Sequence, residues 1–81
     1  MKRAPDMDNV WIIHAERLTN SVNGNPRYIL TFTDGDLGSW TYQTKSDASC
    51  SYDVDNFVRS RERINVWLTK ADRVDVMEKA T

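Results

Sequence analysis

The 81-residue chain contains a single cysteine and a single histidine, and this scarcity excludes several classes of protein. With Cys50 alone, no intrachain disulfide can form, so the chain is not a disulfide scaffold. A structural zinc site needs about four thiolate or imidazole ligands, and His14 and Cys50 are too few. No apolar run approaches the ~18 residues of a transmembrane helix. We therefore expect a reduced, soluble, cytoplasmic protein with no metal and no membrane contact.

An excess of charge of one sign is also lacking. The 11 Lys and Arg residues and 12 Asp and Glu residues leave a net charge of -1, which excludes a strongly basic nucleic-acid arm and a strongly acidic tail. The three glycines fit no phosphate-binding or dinucleotide-binding spacing. Nothing in the sequence brings Cys50 and His14 together as a nucleophile and its base. The chain is therefore expected to be no enzyme and to bind no cofactor.

The length allows one small domain. Hydrophobic residues make up 40% of the chain and charged residues 28%, which is an ordinary globular mixture. Residues 1–8 are charged, contain Pro5 and show no periodicity, so they are expected to form a flexible leader. They lead into no apolar stretch and do not resemble a signal peptide. Residues 9–81 are expected to form the single domain.

Five segments have the composition or the alternation of β-strands. They are residues 10–18, 27–33, 39–44, 64–69 and 73–77. In the last of them, Val74 and Val76 are expected to face the core. Between the third and fourth segments, the apolar residues instead recur at helical spacing, with Ser46 as a candidate N-cap and an end near Arg59. The apolar residues of this predicted helix are Cys50, Val54, Phe57 and Val58.

The order β-β-β-α-β-β predicts a mainly β protein with one short helix. Five short strands cannot bury their faces as one flat sheet, so we expect them to curl into a small five-stranded barrel. A helix between the third and fourth strands is the order of an oligonucleotide/oligosaccharide-binding (OB) fold. An SH3-like barrel, or a curled sheet capped by a helix, satisfies the same order.

The fourth strand suggests a binding surface. Ile64, Val66 and Leu68 alternate toward the core, so Trp67 is expected to face outward. An outward residue is either exposed or covered by the helix, by the leader or by a subunit partner. Three arginines lead into this strand, and an exposed tryptophan flanked by arginine is typical of a protein-interface anchor. The third strand carries further aromatic residues. The candidate partner-binding residues are Trp67, Arg59, Arg61, Arg63, Trp40 and Tyr42.

Two parts of the chain carry a resemblance to a known group of proteins. Residues 17–28 (RLTNSVNGNPRY), leading to 33–35 (TDG), and residues 44–48 (TKSDA) resemble small uncharacterised accessory proteins of actinobacterial bacteriophages. These motifs are turn and strand-edge patterns. The resemblance implies a viral protein made in the host cytoplasm, but it implies no activity and transfers no functional residue.

These observations favour a small non-enzymatic binding module that engages a host or viral protein through an exposed aromatic and arginine patch centred on Trp67. The alternative is single-stranded DNA or RNA binding on an OB-like barrel, with bases stacked on Trp67, Tyr42 and Trp40 and phosphates held by the arginines. Glu62 within the arginine run and the net charge of -1 argue against this alternative. Unpaired strand edges also allow a homodimer.

Overall fold

The structure is a computed structural model and describes residues 3–36 and 38–80. The first two residues of the expected leader, Leu37, and the last residue of the expected domain lie outside the described residues. The elements are β1 (Met7–Arg17), β2 (Tyr28–Thr33), β3 (Ser39–Gln43), a 3-10 helix (Ser49–Asp53), α1 (Val54–Ser60), β4 (Ile64–Leu68) and β5 (Val74–Lys79). A mainly β protein with one short α-helix is therefore confirmed. The order is not quite the predicted one, because the 3-10 helix comes before α1.

The five strands form one antiparallel sheet in the order β3-β2-β1-β4-β5. The expected closure into a barrel is wrong. The edge strands β3 and β5 meet at one point only, where Thr44 forms a parallel bridge with Val74 and Lys45 N–H donates to the Val74 carbonyl at 2.8 Å. Before Thr44, β3 pairs with β2 and with no other described strand, so the sheet is curled but open.

Two irregularities in β1 produce the curl. The register with β4 shifts between Met7 and Val10, and the register with β2 shifts between Ile12 and His14. Asn9, inside the first shift, has a φ of 57°, a conformation that asparagine tolerates better than most residues. Such bulges bend a strand and increase its twist. They let Val10 and Ile12 stay buried on the concave side of the sheet, while Ile13 is 45% exposed.

The hairpin of β4 and β5 carries a further bulge, which corrects one prediction. Val66 pairs with Met77 and Leu68 pairs with Val74, and the register shifts between Trp67 and Leu68. The inserted residue changes which side chains of β5 face inward. Val74 and Met77 are buried, whereas Val76, which alternation placed inward, is only half-buried.

The helical segment packs as its apolar spacing indicates, but it starts later than expected. Cys50 and Val54 are buried, and Phe57 and Val58 are half-buried against the core. Ser46 is not the N-cap: Ala48 occupies that position of the 3-10 helix. The reason is Asp47, whose φ of 64° is incompatible with a continuing right-handed helix.

Residues 3–6 lie beside β4. Asp6 N–H donates to the Val66 carbonyl at 2.8 Å, and the Asp6 carboxylate accepts the Leu68 N–H at 2.6 Å. β1 begins at Met7, three residues before the predicted start. The flexibility expected of residues 1–8 stays a prediction, but the described part of this segment has defined partners on the sheet.

Candidate functional site

Trp67 is buried, with 7% of its surface exposed. Its indole N–H donates to the main-chain carbonyl of Arg3 at 2.8 Å, and the Arg3 guanidinium hydrogen-bonds to the Leu68 carbonyl. The outward side of β4 is thus covered by the N-terminal segment. The expectation that Trp67 is exposed is therefore wrong, and so is a patch centred on its exposed ring.

The three arginines are exposed. Arg63 stacks on Trp11, with its guanidinium carbon 4.2 Å from the ring centroid, and it donates to the Asn9 carbonyl at 3.4 Å. Arg59 donates to the Asn56 side chain at 3.3 Å. Arg61 ends α1 in the left-handed conformation, with its N–H on the Phe57 carbonyl at 3.0 Å. The Arg63–Trp11 pair was not predicted, because it depends on the pairing of β1 with β4.

Trp40 and Tyr42, on the inner face of β3, line a cleft of about 440 Å³ at the open side of the sheet. Both are half-buried. We call this space the β3 cleft, and its remaining lining comes from the start of β1, the β2–β3 turn and the end of β4. Those residues are Asp6, Met7, Asp8, Val10, Asp34 and Leu68. The cleft exists because β3 and β5 separate below the Thr44–Val74 bridge.

A glycine positions the ring of Trp40. A Cβ atom added to Gly38 would lie 2.5 Å from Cη2 of Trp40, which is closer than real side chains approach. The indole therefore lies directly over the backbone of Gly38. The pairing of Phe32 with Trp40 places Trp40 beside the β2–β3 turn, which carries Asp34. This local arrangement keeps an aromatic surface at the mouth of the cleft.

The β3 cleft is acidic. Asp8 and Asp34 are exposed and form no ion pair with another residue in the described part of the chain. Asp6 is partly neutralised by Arg3, at 2.8 Å. The Leu68 N–H and the Arg3 guanidinium lower the pKa of Asp6 below its usual 3.8. The three carboxylates together surround an apolar and aromatic floor.

The two residues weighed for nucleophilic chemistry lie in different surroundings. His14 is exposed on β1 and lines a second cleft, of about 550 Å³, with Asp55 of α1. Cys50 is buried, and its thiol donates to the Asp75 carbonyl at 3.4 Å. Burial, with added repulsion from Asp75 and Asp53, raises the pKa of Cys50 to about 11. A thiol in this state is a poor nucleophile at neutral pH.

A polar cluster ties the long β1–β2 loop to the segment before the 3-10 helix. The Asp47 carboxylate accepts hydrogen bonds from the side chains of Ser21, Asn23 and Asn25. These donors lower the pKa of Asp47 below its usual 3.8, with Ser21 contributing most. Tyr52 donates to the Asn25 side chain from the other side. These four side-chain hydrogen bonds join the loop to the segment that supports it, so we assign the cluster a structural role.

Among residues 3–36 and 38–80, no group of three or more His, Cys, Asp or Glu side chains could hold a metal ion. None of the helices found there has the length and the apolar character needed to cross a bilayer. No protein-family model, no curated protein and no solved structure matches this chain. The resemblance to phage accessory proteins therefore stays a prediction.

Of the six candidate residues, Trp40 and Tyr42 lie together in one cleft. Trp67 is buried on the outward side of β4, beneath the N-terminal segment. The sequence predicted no carboxylate beside this aromatic pair, and Asp34 was interpreted as a turn residue. The register of the β2–β3 hairpin could have predicted the position of Asp34, because this register places the turn next to Trp40. No local signal pointed to Asp8, which reaches the cleft through the long-range pairing of β1 with β4.

Proposed function

We propose that this chain is a small non-enzymatic module that binds a protein through the β3 cleft. The observation that carries the proposal is the pair of half-buried aromatic rings, Trp40 and Tyr42, beside three aspartate side chains at the open side of the sheet. Aromatic residues in a partly desolvated depression are typical anchors of protein interfaces. The carboxylates favour a partner segment that carries Lys or Arg. A phage or host protein as the partner rests on the sequence resemblance alone.

An OB-like arrangement is part of this proposal. It is supported by the position of α1 between β3 and β4, by the strand order, and by the parallel approach of Thr44 to Val74 between the two edge strands. The OB fold is a five-stranded, partly open barrel. An SH3-like barrel is less well supported, because α1 covers one end of the curled sheet and contacts β1.

Single-stranded DNA or RNA binding is the second candidate, and the exposed Arg63–Trp11 pair is the observation that favours it. Against it, OB folds hold nucleic acid on the face of strands 2 and 3. Here the outward side chains of β2 and β3 include Thr31 and Thr41, which hydrogen-bond to each other at 3.1 Å, and provide no aromatic ring for stacking. Trp40 and Tyr42 face an acidic cleft, which repels phosphates.

Capture from an actinobacterial lysate tests the proposal. Immobilised wild-type protein is compared with Tyr42→Ala and Asp34→Lys, which change the β3 cleft, and with Ile13→Ala, a matched control at an exposed apolar residue outside it. Every sample is divided and half is treated with nuclease. Circular dichroism confirms that each variant is folded.

The expected result is a protein retained by the wild type and by Ile13→Ala in both halves, and lost from both cleft variants. Capture of the same protein by Tyr42→Ala and Asp34→Lys at the wild-type level would contradict the proposal. Recovery that disappears only after nuclease treatment would replace it with nucleic-acid binding, and Arg63→Ala would then be the variant to examine.

A further inference from the structure

The main chain of β3 exposes one edge. Thr44 N–H donates to the Tyr28 carbonyl of β2 at 2.9 Å, whereas Lys45 N–H points the opposite way and donates to Val74. Because main-chain groups alternate along a strand, those of Trp40 and Tyr42 face β2. Those of Ser39, Thr41 and Gln43 therefore face away from β2. At the Thr44–Val74 bridge, Val74 occupies the Gln43 carbonyl, whereas the main chains of Ser39 and Thr41 have no strand partner on that side among the described residues.

The other edge of the sheet is different. On β5, the Asp75 carbonyl accepts a hydrogen bond from the Cys50 thiol, and the 3-10 helix that carries Cys50 packs against the strand. The Val74 carbonyl is held by Lys45 N–H. The 3-10 helix therefore covers the outer edge of β5. Natural sheets protect their edges in this way, and β3 stands out because it lacks such a cover.

The open edge of β3 and the β3 cleft adjoin each other. The outward main-chain groups belong to Ser39, Thr41 and Gln43, and the residues between them, Trp40 and Tyr42, line the cleft. An extended segment that paired with this edge would place every second side chain on the same face of the sheet as Trp40 and Tyr42. Those side chains would reach the cleft and its carboxylates.

We propose that β3 binds an extended, basic segment of the partner protein as an added sixth strand that runs antiparallel to β3, with alternate Lys or Arg side chains in the β3 cleft; this inference rests on the proposed function. The main-chain groups of Ser39 and Thr41, with the Gln43 N–H, supply the pairing. The rings of Trp40 and Tyr42 hold the side-chain stems and attract their cationic ends. Asp8 and Asp34 supply the complementary charge. Strand addition of this kind takes its affinity from main-chain hydrogen bonds and its specificity from alternate side chains.

Geometry divides the bound segment into two kinds of residue. Directly opposite residues of paired strands share a face, and the side chains of Thr41 and Gln43 lie on the face away from the cleft. A partner residue that exchanges hydrogen bonds with Thr41 therefore also points its side chain away from the cleft. The basic residues that enter the cleft must be the intervening ones, whose N–H groups point away from β3. The two kinds of residue can therefore be tested separately.

The test uses a pool of synthetic nine-residue peptides in which Lys or Arg alternates with Val or Thr. One derivative pool carries N-methyl groups on the Val and Thr amides, a second carries them on the Lys and Arg amides, and a third has Glu in place of every basic residue. Binding is measured by titration into isotope-labelled protein, with the amide signals of Thr41 and Gln43 as readouts. The variants Tyr42→Ala, Asp34→Asn and, as a control, Ile13→Ala are titrated in the same way.

Methylation of the Val and Thr amides is expected to weaken binding at least about tenfold, because it removes at least two main-chain hydrogen bonds. Methylation of the Lys and Arg amides is expected to change it less than about twofold. Asp34→Asn should weaken binding about two- to fivefold, as for a solvent-exposed charge pair, and the Glu pool should not bind. Amide exchange at Thr41 and Gln43 should slow on binding.

Equal binding of the two methylated pools, or weaker binding of the pool methylated at Lys and Arg, would overturn antiparallel strand addition. No binding of the basic pool at about 1 mM would also overturn it. If lysate capture then still depended on Tyr42, the proposed function would stand and only this inference would fail. If Tyr42→Ala also left lysate capture unchanged, both the proposed function and this inference would fail. A free protein that sediments as a dimer, with Thr41 and Gln43 amides already protected, would identify a second copy as the occupant and overturn the basic segment.

Discussion

Substitution of Trp67 tests whether this residue belongs to the buried interior or to an exposed binding surface. The side chain is 7% exposed and its indole N–H is bonded to the Arg3 carbonyl. Truncation of a buried large aromatic residue to alanine costs about 3–5 kcal/mol. At ~0.05–0.15 kcal/mol per residue, a chain of 81 residues has about 4–12 kcal/mol of stability in total. Trp67→Ala is therefore expected to remove at least a quarter of it.

A second variant separates the hydrogen bond from the packing. Trp67→Phe keeps most of the buried ring and loses the indole donor, so it should cost about 0.5–1.5 kcal/mol for the hydrogen bond and somewhat more for the lost volume. Val22→Ala is the control, because Val22 is fully exposed and its truncation should change stability by less than about 0.5 kcal/mol.

Urea denaturation at 25 °C, followed by far-ultraviolet circular dichroism, gives the free energy of unfolding of each variant. The expected order of loss is Trp67→Ala, then Trp67→Phe, then Val22→Ala. A cost below about 1 kcal/mol for Trp67→Ala would refute the burial of this ring beneath residues 3–6. It would also restore Trp67 as a candidate surface anchor.

Three further outcomes are expected. Gly24→Ala should lower the free energy of unfolding by about 1–2 kcal/mol, because alanine is strained at its positive φ. Gly35→Ala should lower it by about 1–3 kcal/mol more than Gly24→Ala does, because the added Cβ would also lie 2.5 Å from the ring of Trp11. Equal urea midpoints for the two variants would contradict this close contact. The lowered pKa of Asp47 contributes stability that is present above about pH 4 and is lost as the pH falls through the folded-state value, so Asp47→Asn should flatten the acid limb of a pH-stability profile. Asparagine tolerates the φ of 64° there, so an unchanged acid limb would assign that limb to other carboxylates. With its pKa raised to about 11, Cys50 should react with a thiol reagent at pH 8 only after denaturation, and rapid labelling of the native protein would disprove its burial.

The elements that depend on neighbouring residues could be predicted from the sequence. The alternation of Leu30 and Phe32 with threonines identified β2, and the change of spacing at Cys50 and Val54 identified the helical segment. Both signals lie within a few residues, and both reflect burial of one face. The same reasoning found the aromatic pair on β3.

The features that depend on distant residues could not be predicted. The cover of Trp67 comes from Arg3, which is 64 positions earlier in the chain, and strand alternation contains no information about it. The bulge in β5 reversed the expected side of Val76, because a single inserted residue changes the face of every residue after it. Barrel closure failed for a related reason: β3 and β5 meet at one residue pair, and no local pattern specifies the length of that contact.

The strand order has a consequence for how the molecule can be divided. The ladders β1–β2 and β2–β3 lie within residues 7–43, and the ladder β4–β5 lies within residues 64–79. Among the described strands, the β1–β4 ladder and the Thr44–Val74 bridge are the main-chain pairings that join these two parts of the sheet, and a shared core and the intervening helices add side-chain packing. A break in the exposed connector at Arg61 would leave three of the four ladders each within one fragment. The chain is thus organised as two complementary pieces, and their reassembly from separate peptides would measure the strength of the single ladder that joins them.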